Sequence, residues 1–369
     1  MAARLCIMIH LLEETKKEDD YKKRQQTRQL RNTRTILRDV DYIRHYRLSE
    51  DLINMLESEL APYMPVCRRS GGLSLRLKIL CTLSFLGNGS YQKLIGNNLD
   101  TLISQPSASR AIHQVIDALN NINIVQKYIR FPQNSQERQA LKQSFYEKFK
   151  IPGVLGCIDG TLVSMVRPHQ HEERYYCRKG YHARNVMIIN DADLNILHVD
   201  VTFGGATHDS FVFTNSIIKD HLEKLHNNGE VVYLLGDSGY AQRPYLMTPF
   251  NNPNPGTPEE HYNTMHSTAR NSVERTIGIL KGRFRCLLVH RVLHYDPTTV
   301  SKIVVACCVL HNICNRAGLS SPTLASTDLE QEKRILGTLR QAQLSQDNVA
   351  TGRLCRAQVV RQLWRARHM

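Results

Sequence analysis

The hydrophobic pattern of the sequence changes at about residue 150, and this change constrains the fold more than any other feature. From Leu48 to Lys150, apolar residues recur at intervals of three and four, which is typical of amphipathic helices. From Ile151 to Leu319, short apolar and β-branched runs alternate with helical patterns. Strands interspersed with helices indicate a mixed α/β sheet flanked by helices. The chain is therefore predicted to have an α/β core preceded by an all-helical region.

Three strands are predicted in the α/β region. The first is the run GVLGCIDGTLVSMV, which begins at Gly153, and the next two flank a polar turn at Asp191–Asn195 and so predict a hairpin. The last, VVYLLGD, is apolar up to Gly236, so it is predicted to be central and buried on both faces of the sheet. Single helices are predicted from Asp209 onwards, at about 271–285 and at about 297–315.

Composition divides the chain into four segments. The first is a basic arm rich in Lys, Arg and Gln, and the last is a Ser-, Thr-, Gln- and Arg-rich stretch that predicts a flexible tail or one short peripheral helix. The predicted boundaries are 1–47 for the arm, 48–150 for the helical region, 151–319 for the α/β domain and 320–369 for the basic tail.

The overall charge favours a polyanionic partner. The chain has 48 basic and 34 acidic residues, which gives a net charge of +14, and a field of that sign most often serves nucleic-acid binding. The mean hydropathy is −0.37, and no apolar run approaches the ~20 residues that a membrane-spanning helix needs. The sequence therefore predicts DNA as a partner and excludes an integral membrane protein.

A helix-turn-helix is one interpretation of the region around residue 107. A short helix near Tyr91–Ile95, a polar turn and a helix capped by Ser107 match the layout of this DNA-binding motif. The second helix would present Arg110 to a phosphate or a base edge. A plain helical bundle explains the pattern equally well, because no strict sequence motif encodes the helix-turn-helix geometry.

Four acidic residues stand out by their positions. Asp159 interrupts the apolar run of the first strand, and Asp237 ends the last one. Asp209 follows GGATH at the start of a helix, and Glu274 lies in the helical run RNSVERTIGILKGRF. An unpaired carboxylate is costly to bury in an apolar strand and is tolerated when it binds a cation. The basic residues that follow Asp159 begin only at Arg167, so a metal ligand is favoured over a local ion pair.

Together these acids predict a site for a hard divalent cation. Mg²⁺ and Mn²⁺ prefer carboxylate oxygens and water, and two such ions about 3.5–4 Å apart can activate a water and stabilise the leaving oxygen of a phosphodiester. The helix of Glu274 also carries basic residues on one side, and between positions 270 and 291 there are six basic residues and one acidic residue. Three of them are predicted to contact the DNA backbone: Arg270, Lys281 and Arg285.

A zinc site is the alternative metal interpretation. Its ligands would be His169, His171, Cys177 and His182. The spacing H-x-H-x5-C-x4-H fits no standard zinc template, so this interpretation is disfavoured.

Four motifs, in this order, resemble the Harbinger (PIF-type) DDE transposases and the nucleases domesticated from them: GCIDGT, VTFGGATHDSFVFTNS, LGDSGY and ARNSVERTIGILKGRFRCL. The resemblance covers about residues 153–314. It implies an RNase H-like core with a two-metal Asp–Asp–Glu site. By motif, the catalytic acids fall on Asp159, Asp237 and Glu274, and Asp209 is implied as an additional metal ligand.

The resemblance also implies a function and a partner. It implies a transposase-derived endonuclease that hydrolyses DNA phosphodiester bonds with Mg²⁺ or Mn²⁺. A Myb-like partner protein is implied to supply sequence-specific DNA binding and nuclear import, which places the protein in the nucleus, with the cytoplasm as a second location. The alternative is a catalytically silent, domesticated protein that binds DNA or chromatin through such a partner. The intact set of acids favours the nuclease.

Overall fold

The computed structural model describes residues 14–19, 22, 39–65, 72–89, 103–322, 327–328, 330–332 and 349–367. Helices precede the sheet in the chain. They are α1 (Asp39–Tyr46), α2 (Glu50–Leu60), α3 (Leu75–Asn88), α4 (Gln105–Leu119), α5 (Ile122–Tyr128) and α6 (Ser135–Phe149). The α/β region and a C-terminal helix follow. Their elements are β1 (Val154–Ser164), β2 (Ala183–Asn190), β3 (Ile196–Asp200), α7 (Asp209–Thr214), α8 (Ile217–Asn227), β4 (Tyr233–Leu235), β5 (Leu246–Met247), α9 (Pro258–Arg283), α10 (Pro297–Arg316) and α11 (Val349–Ala366).

The strands form one mixed sheet in the order β3-β2-β1-β4-β5. β1, β2 and β3 are antiparallel, whereas β4 is parallel to both β1 and β5. The predicted hairpin is confirmed, and Asp191 Oδ1 closes its turn by accepting hydrogen bonds from the backbone of Asp193 and Asn195. The strand predicted from VVYLLGD is interior and buried, but β1 occupies the middle of the sheet.

Helices cover both faces of the sheet, so successive residues of a strand pack in different hydrophobic clusters. Ile188 of β2 belongs to a large cluster with α9, α10 and the N-terminal helices, and its neighbour Ile189 belongs to a second cluster with α7 and α8. This alternation follows from the two-residue period of a strand. Buried Asn190 also ties the sheet to α9, because its Nδ2 donates to Thr276 Oγ1 at 3.1 Å.

One described helix is long and apolar enough to cross a membrane by length and composition. It is α10, and 67% of its apolar window is buried inside the protein. Its Asn312 donates to two backbone oxygens, those of Tyr128 and Ile196. Such contacts are those of a core helix that joins the helical region to the sheet.

Two helix predictions need correction. The helix predicted from Asp209 onwards is split into α7 and α8, because Ser216 takes an extended conformation and caps α8 through the backbone N–H of Lys219. The helix predicted at about 271–285 starts earlier, at Pro258, where Thr257 is the N-cap, and it ends at Arg283. Proline fits there because the first turn of a helix needs no N–H donor.

The helix-turn-helix interpretation is only partly described. Its predicted first helix, near Tyr91–Ile95, lies outside the described residues. Its second helix is α4, but Ser104 rather than Ser107 precedes the first helical residue.

Of the two alternatives for the C-terminal stretch, the described residues 349–366 follow the helical one rather than the flexible tail. Helix α11 packs against α9 and buries Val359, Val360 and Leu363. Arg356 stacks on Phe250 with its guanidinium carbon 3.7 Å from the ring centre. Apolar side chains at helical spacing therefore hold this segment on the core.

Candidate active site

Asp159 lies on β1, between two neighbouring strands. The backbone N–H of Gly160 donates to its Oδ1 at 3.0 Å, and Arg270 Nη2 donates to its Oδ2 at 3.2 Å. Asp159 therefore has a basic partner, although not one nearby in the sequence. The partner comes from α9, 111 residues further along the chain, where a local reading of the sequence does not find it.

Asp237 lies beside Asp159 because β1 and β4 are parallel neighbours. Cys157 pairs with Leu235, and each aspartate lies two residues beyond its member of that pair. Asp237 Oδ1 accepts a hydrogen bond from the backbone N–H of Gly239 at 2.9 Å. The turn after β4 therefore fixes this carboxylate at the level of Asp159.

Asp209, the first residue of α7, reaches the same place from a different part of the chain. Its Oδ1 accepts a hydrogen bond from Asn185 Nδ2 of β2 at 2.8 Å. The carboxylate packs directly against Gly160, so that a Cβ atom added there would lie 2.3 Å from Asp209 Oδ1. Only glycine after Asp159 leaves room for Asp209 in this position.

Glu274 joins the site through Arg270. Arg270 Nη1 donates to Glu274 Oε1 at 2.6 Å, while its Nη2 contacts Asp159. The side chain of Glu274 is 50% exposed, whereas those of Asp159 and Arg270 are largely buried. Glu274 therefore stands at the solvent side of the site, and one guanidinium bridges it to Asp159.

The aspartates perturb one another electrostatically. Burial raises the pKa of Asp159 to about 7, Arg270 opposes this shift, and the charges of Asp237 and Asp209 add to it. Burial also raises the pKa of Asp209; the hydrogen bond from Asn185 opposes that shift, and the charge of Asp237 adds to it. Burial and mutual repulsion destabilise the ionised carboxylates, so a cation bound between them would stabilise them strongly.

The donor chemistry of the site fits Mg²⁺ or Mn²⁺. Its side chains offer carboxylate oxygens, and Asn185 Oδ1 is a buried acceptor without a hydrogen-bond partner in the described part of the chain. Hard divalent cations prefer such oxygens. Among the described residues, no three His, Cys, Asp or Glu side chains converge closely enough to hold a metal ion in this conformation. The guanidinium of Arg270 instead supplies positive charge to Asp159 and Glu274.

The disfavoured zinc interpretation gains no support. His182 Nε2 lies 2.9 Å from Glu172 Oε1, and Cys177 is buried. Neither residue belongs to a group of potential metal ligands within the described ranges.

The predicted DNA-contacting residues lie in different environments. The side chain of Lys281 is 3% exposed and its Nζ donates to Glu332 Oε2 at 2.8 Å, so the predicted surface contact with DNA is wrong for this arrangement. Arg285 lies beyond the end of α9, in a 3₁₀ turn, and pairs with Asp328. Arg270 forms ion pairs with Asp159 and Glu274. Arg110 is exposed on α4.

Several residues near the acids were not found from the sequence. Asn185 orients Asp209, and Tyr240, the last residue of LGDSGY, is buried with an unpartnered hydroxyl among the described residues. Its pKa is raised well above the usual value, by burial first and then by Asp209, Asp159 and Asp237. The LGDSGY motif could have indicated that this tyrosine lies near the acids, whereas no comparable sequence feature marks Asn185.

A basic turn lies next to Asp209. Arg178 contacts His208, the residue before Asp209. Lys179 is half-buried; burial lowers its pKa, and the charge of Asp209 opposes that shift. The turn thus brings two cations to the edge of the acid site. The sequence does not indicate that these two residues lie near Asp209, because the loop that carries them folds back from β1.

Comparisons with known proteins place the chain in a family. The family model described as "DDE superfamily endonuclease" matches residues 158–312. "Putative nuclease HARBI1" of Homo sapiens is 36% identical over 261 residues, which cover 69% of this chain and 72% of that protein. The Bos taurus protein of the same name is 35% identical over 272 residues, covering 72% and 75%.

A plant protein is a more distant relative. "Protein ALP1-like" of Arabidopsis thaliana is 25% identical over 274 residues, which cover 70% of this chain and 65% of that protein. No solved structure matches the chain. On the family match and the identity to the animal proteins, the chain belongs to the DDE endonuclease superfamily, in the family of Harbinger transposase-derived proteins.

Proposed function

We propose that this chain is a divalent-metal-dependent endonuclease that hydrolyses DNA phosphodiester bonds with a two-metal Asp–Asp–Glu site. The observation that carries the proposal is that Asp159 and Asp237 lie at the same level of adjacent strands, while Asp209 packs against Gly160, the residue after Asp159. The antiparallel β1–β3 unit continued by parallel β4 and β5 supports the RNase H-like core that the resemblance implies.

Four acids would hold the metal. They are Asp159, Asp209, Asp237 and Glu274. A divalent cation bound there supplies an activated water and stabilises negative charge on the phosphate during in-line attack. The oxygen-only donor set is suited to Mg²⁺ or Mn²⁺.

The remaining contacts position these acids in advance. Each of Asp159, Asp209 and Asp237 has one oxygen fixed by an N–H donor: Gly160 N, Asn185 Nδ2 and Gly239 N, respectively. Carboxylates that are already oriented need little reorganisation when substrate binds. The turn with Arg178 and Lys179 brings positive charge beside Asp209, where it would attract a phosphate.

The proposal includes a partner and a location. A Myb-like protein would supply sequence-specific DNA binding and nuclear import, so the protein would act mainly in the nucleus. The chain's net charge of +14 supports DNA binding but carries no information about the sequence that is bound.

A catalytically silent DNA- or chromatin-binding protein is the second candidate. One observation favours it: Arg270 already pairs with Asp159 and Glu274 in this conformation, so both acids are satisfied without a metal. The two candidates differ in what Asp159→Asn changes, because only a nuclease depends on that carboxylate.

The test is cleavage of a supercoiled plasmid with Mg²⁺ or Mn²⁺, with and without the candidate Myb-like partner. We expect wild-type protein to nick the plasmid and Asp159→Asn to lose this activity. Asp117→Asn is the matched control, because it removes one exposed carboxylate on α4. Wild-type protein that is inert under all these conditions would favour the silent candidate.

A further inference from the structure

An acidic segment near the C-terminus docks on the end of α9 and the residues that follow it. This acidic segment comprises the described residues 327–328 and 330–332. Glu332 is its anchor: its Oε2 accepts from Lys281 Nζ at 2.8 Å, and its Oε1 accepts from Val289 N at 2.6 Å. Both charged side chains of the Lys281–Glu332 pair are almost fully buried. The anchor therefore holds the acidic segment in a defined place.

Asp328 carries the second contact of the acidic segment. Its Oδ2 accepts from Arg285 Nη2 at 2.8 Å, and its Oδ1 lies 3.3 Å from His290 Nε2. The side chain of Arg285 is 34% exposed, and that of His290 is 23% exposed. This contact therefore lies at the rim, within reach of a ligand from solvent.

One carboxylate does not satisfy the donors around Asp328. Arg285 Nε is a buried donor without a hydrogen-bond partner in the described part of the chain. His290 Nδ1 is also unpartnered, but it is an acceptor when Nε2 donates to Asp328, because burial lowers the pKa of His290 and favours the neutral ring. The unpaired Nε–H of Arg285 favours an anion with more acceptor oxygens than a carboxylate, and arginine recognises phosphate with the same geometry.

The position of this basic cluster relates it to the acids. Lys281 lies two helical turns beyond Glu274 on α9, about 10 Å along the axis. Its Nζ also donates to the backbone oxygen of Leu162, three residues after Asp159 in β1. A nucleic-acid backbone held at the acids can thus continue over Arg285.

We propose that Arg285 and His290 form a phosphate-binding site for the DNA backbone, and that Asp328 occupies this site until DNA displaces it. The choice of DNA as the ligand rests on the proposed function. The acidic segment then restrains DNA binding through an internal mimic of a phosphate, while Glu332 keeps the segment attached.

The test measures DNA binding without cleavage. Full-length protein is titrated into a fluorescent random-sequence duplex in EDTA, by anisotropy, at several salt concentrations between 50 and 200 mM. We expect Asp328→Asn to bind about three- to tenfold more tightly than wild type, because DNA no longer has to displace a carboxylate from Arg285. Adding Arg285→Gln should abolish this gain and reduce the salt slope by about one unit, because one phosphate contact is lost.

Glu330→Gln is the matched control. It removes the same charge from the acidic segment, but Glu330 is exposed and forms no ion pair with any described residue. We expect its affinity to stay within about twofold of wild type and its salt slope to be unchanged. Equal effects of Asp328→Asn and Glu330→Gln would overturn the proposal, because a general loss of negative charge would then explain both.

A second measurement needs no variant and covers the case in which Asp328→Asn does not fold. Hydrogen exchange of wild-type protein is compared with and without the duplex in EDTA. Displacement of Asp328, with Glu332 still anchored, predicts exchange on the order of tenfold faster at residues 327–328 with DNA, and unchanged or slower exchange there would overturn it. Both measurements are independent of catalysis, so a failure here leaves the plasmid assay, and with it the nuclease proposal, to be judged separately.

Discussion

The carboxylate of Asp209 rests against the backbone of Gly160, with no space for a side chain between them. A Cβ atom at Gly160 would lie 2.3 Å from one oxygen of Asp209 and 2.5 Å from the other. Gly160 follows Asp159 in β1, so this contact sets Asp209 next to the central acid of the site. The glycine of the GCIDGT motif is thereby explained by packing.

Substituting Gly160→Ala should disable the site while preserving the fold. The added methyl group displaces the end of the Asp209 side chain rather than backbone, so we expect a loss of about 1 kcal/mol or less in the free energy of unfolding. Plasmid cleavage should fall about tenfold or more, because a ligand moves by an ångström or more. Urea unfolding and the cleavage assay measure the two effects.

The control is Gly278→Ala on α9, where an added Cβ meets no atom within 4 Å. It should keep wild-type cleavage and gain up to about 1 kcal/mol of stability from helix propensity. Wild-type cleavage by Gly160→Ala would show that the position of Asp209 does not matter for activity.

Stability without metal should depend on pH through Asp159. Its pKa is about 7 in the folded protein, above the ordinary value of 3.8, so the folded state holds this proton more tightly than the unfolded state. The contribution of this group to stability is full below pH 4 and is lost as pH rises towards 7. Asp159→Asn mimics the protonated form, so its free energy of unfolding should exceed that of wild type by about 1–3 kcal/mol at pH 8.

This difference should be measured by urea unfolding in EDTA at pH 5 and pH 8, and it should be smaller at the lower pH. The exposed Asp117→Asn serves as the control and should show no such trend. If Asp159→Asn is less stable than wild type at pH 8, the carboxylate is not the strained group that its surroundings indicate.

Hydrophobic periodicity was sufficient for much of the fold. β1, the hairpin and α10 are buried elements of ordinary length, and each shows the period of its structure. β5 has only two residues, too few to show a period. The first half of α9 was missed because PEEHYNTMHSTA is mostly polar, although Thr257 and Pro258 form a regular N-terminus.

The site was harder to derive because its contacts are non-local. Asp159, Asp209, Asp237 and Glu274 were singled out by position and motif, but no local pattern shows that Arg270 links two of them. Lys281 has the helical position of a surface residue and is buried only because Glu332 returns from far along the chain. Charge on a helix face therefore did not predict exposure.

The C-terminal helix should contribute to global stability. Arg356 stacks on Phe250 and donates to the backbone oxygens of Thr248 and Pro249. We expect Arg356→Ala to lower the free energy of unfolding by about 1–2 kcal/mol. Arg361→Ala removes the same charge from an exposed position of α11 and should change it by less than about 0.5 kcal/mol.

Denaturant unfolding of both variants measures these changes in the free energy of unfolding. Equal stabilities for Arg356→Ala and Arg361→Ala would mean that α11 does not unfold together with the core.

Arg110 should contribute to DNA binding as a sequence-independent phosphate contact. It is exposed near the start of α4, and its Nη2 lies 3.5 Å from Ser107 Oγ. Arg110→Gln should weaken binding to unrelated duplexes equally and reduce the salt slope by about one unit. Arg130→Gln is the control, because Arg130 is already paired with Glu137. A loss confined to one DNA sequence would instead indicate base recognition.

Direct titration of Mn²⁺ tests the central claim that the acids form one metal site. Isothermal calorimetry on wild-type protein at pH 7.5 should show saturable Mn²⁺ binding. Asp159→Asn, Asp209→Asn and Asp237→Asn should each weaken it by about tenfold or more, whereas Asp117→Asn should not. Saturable binding that all three site variants retain, or no binding by the wild-type protein, would contradict the account.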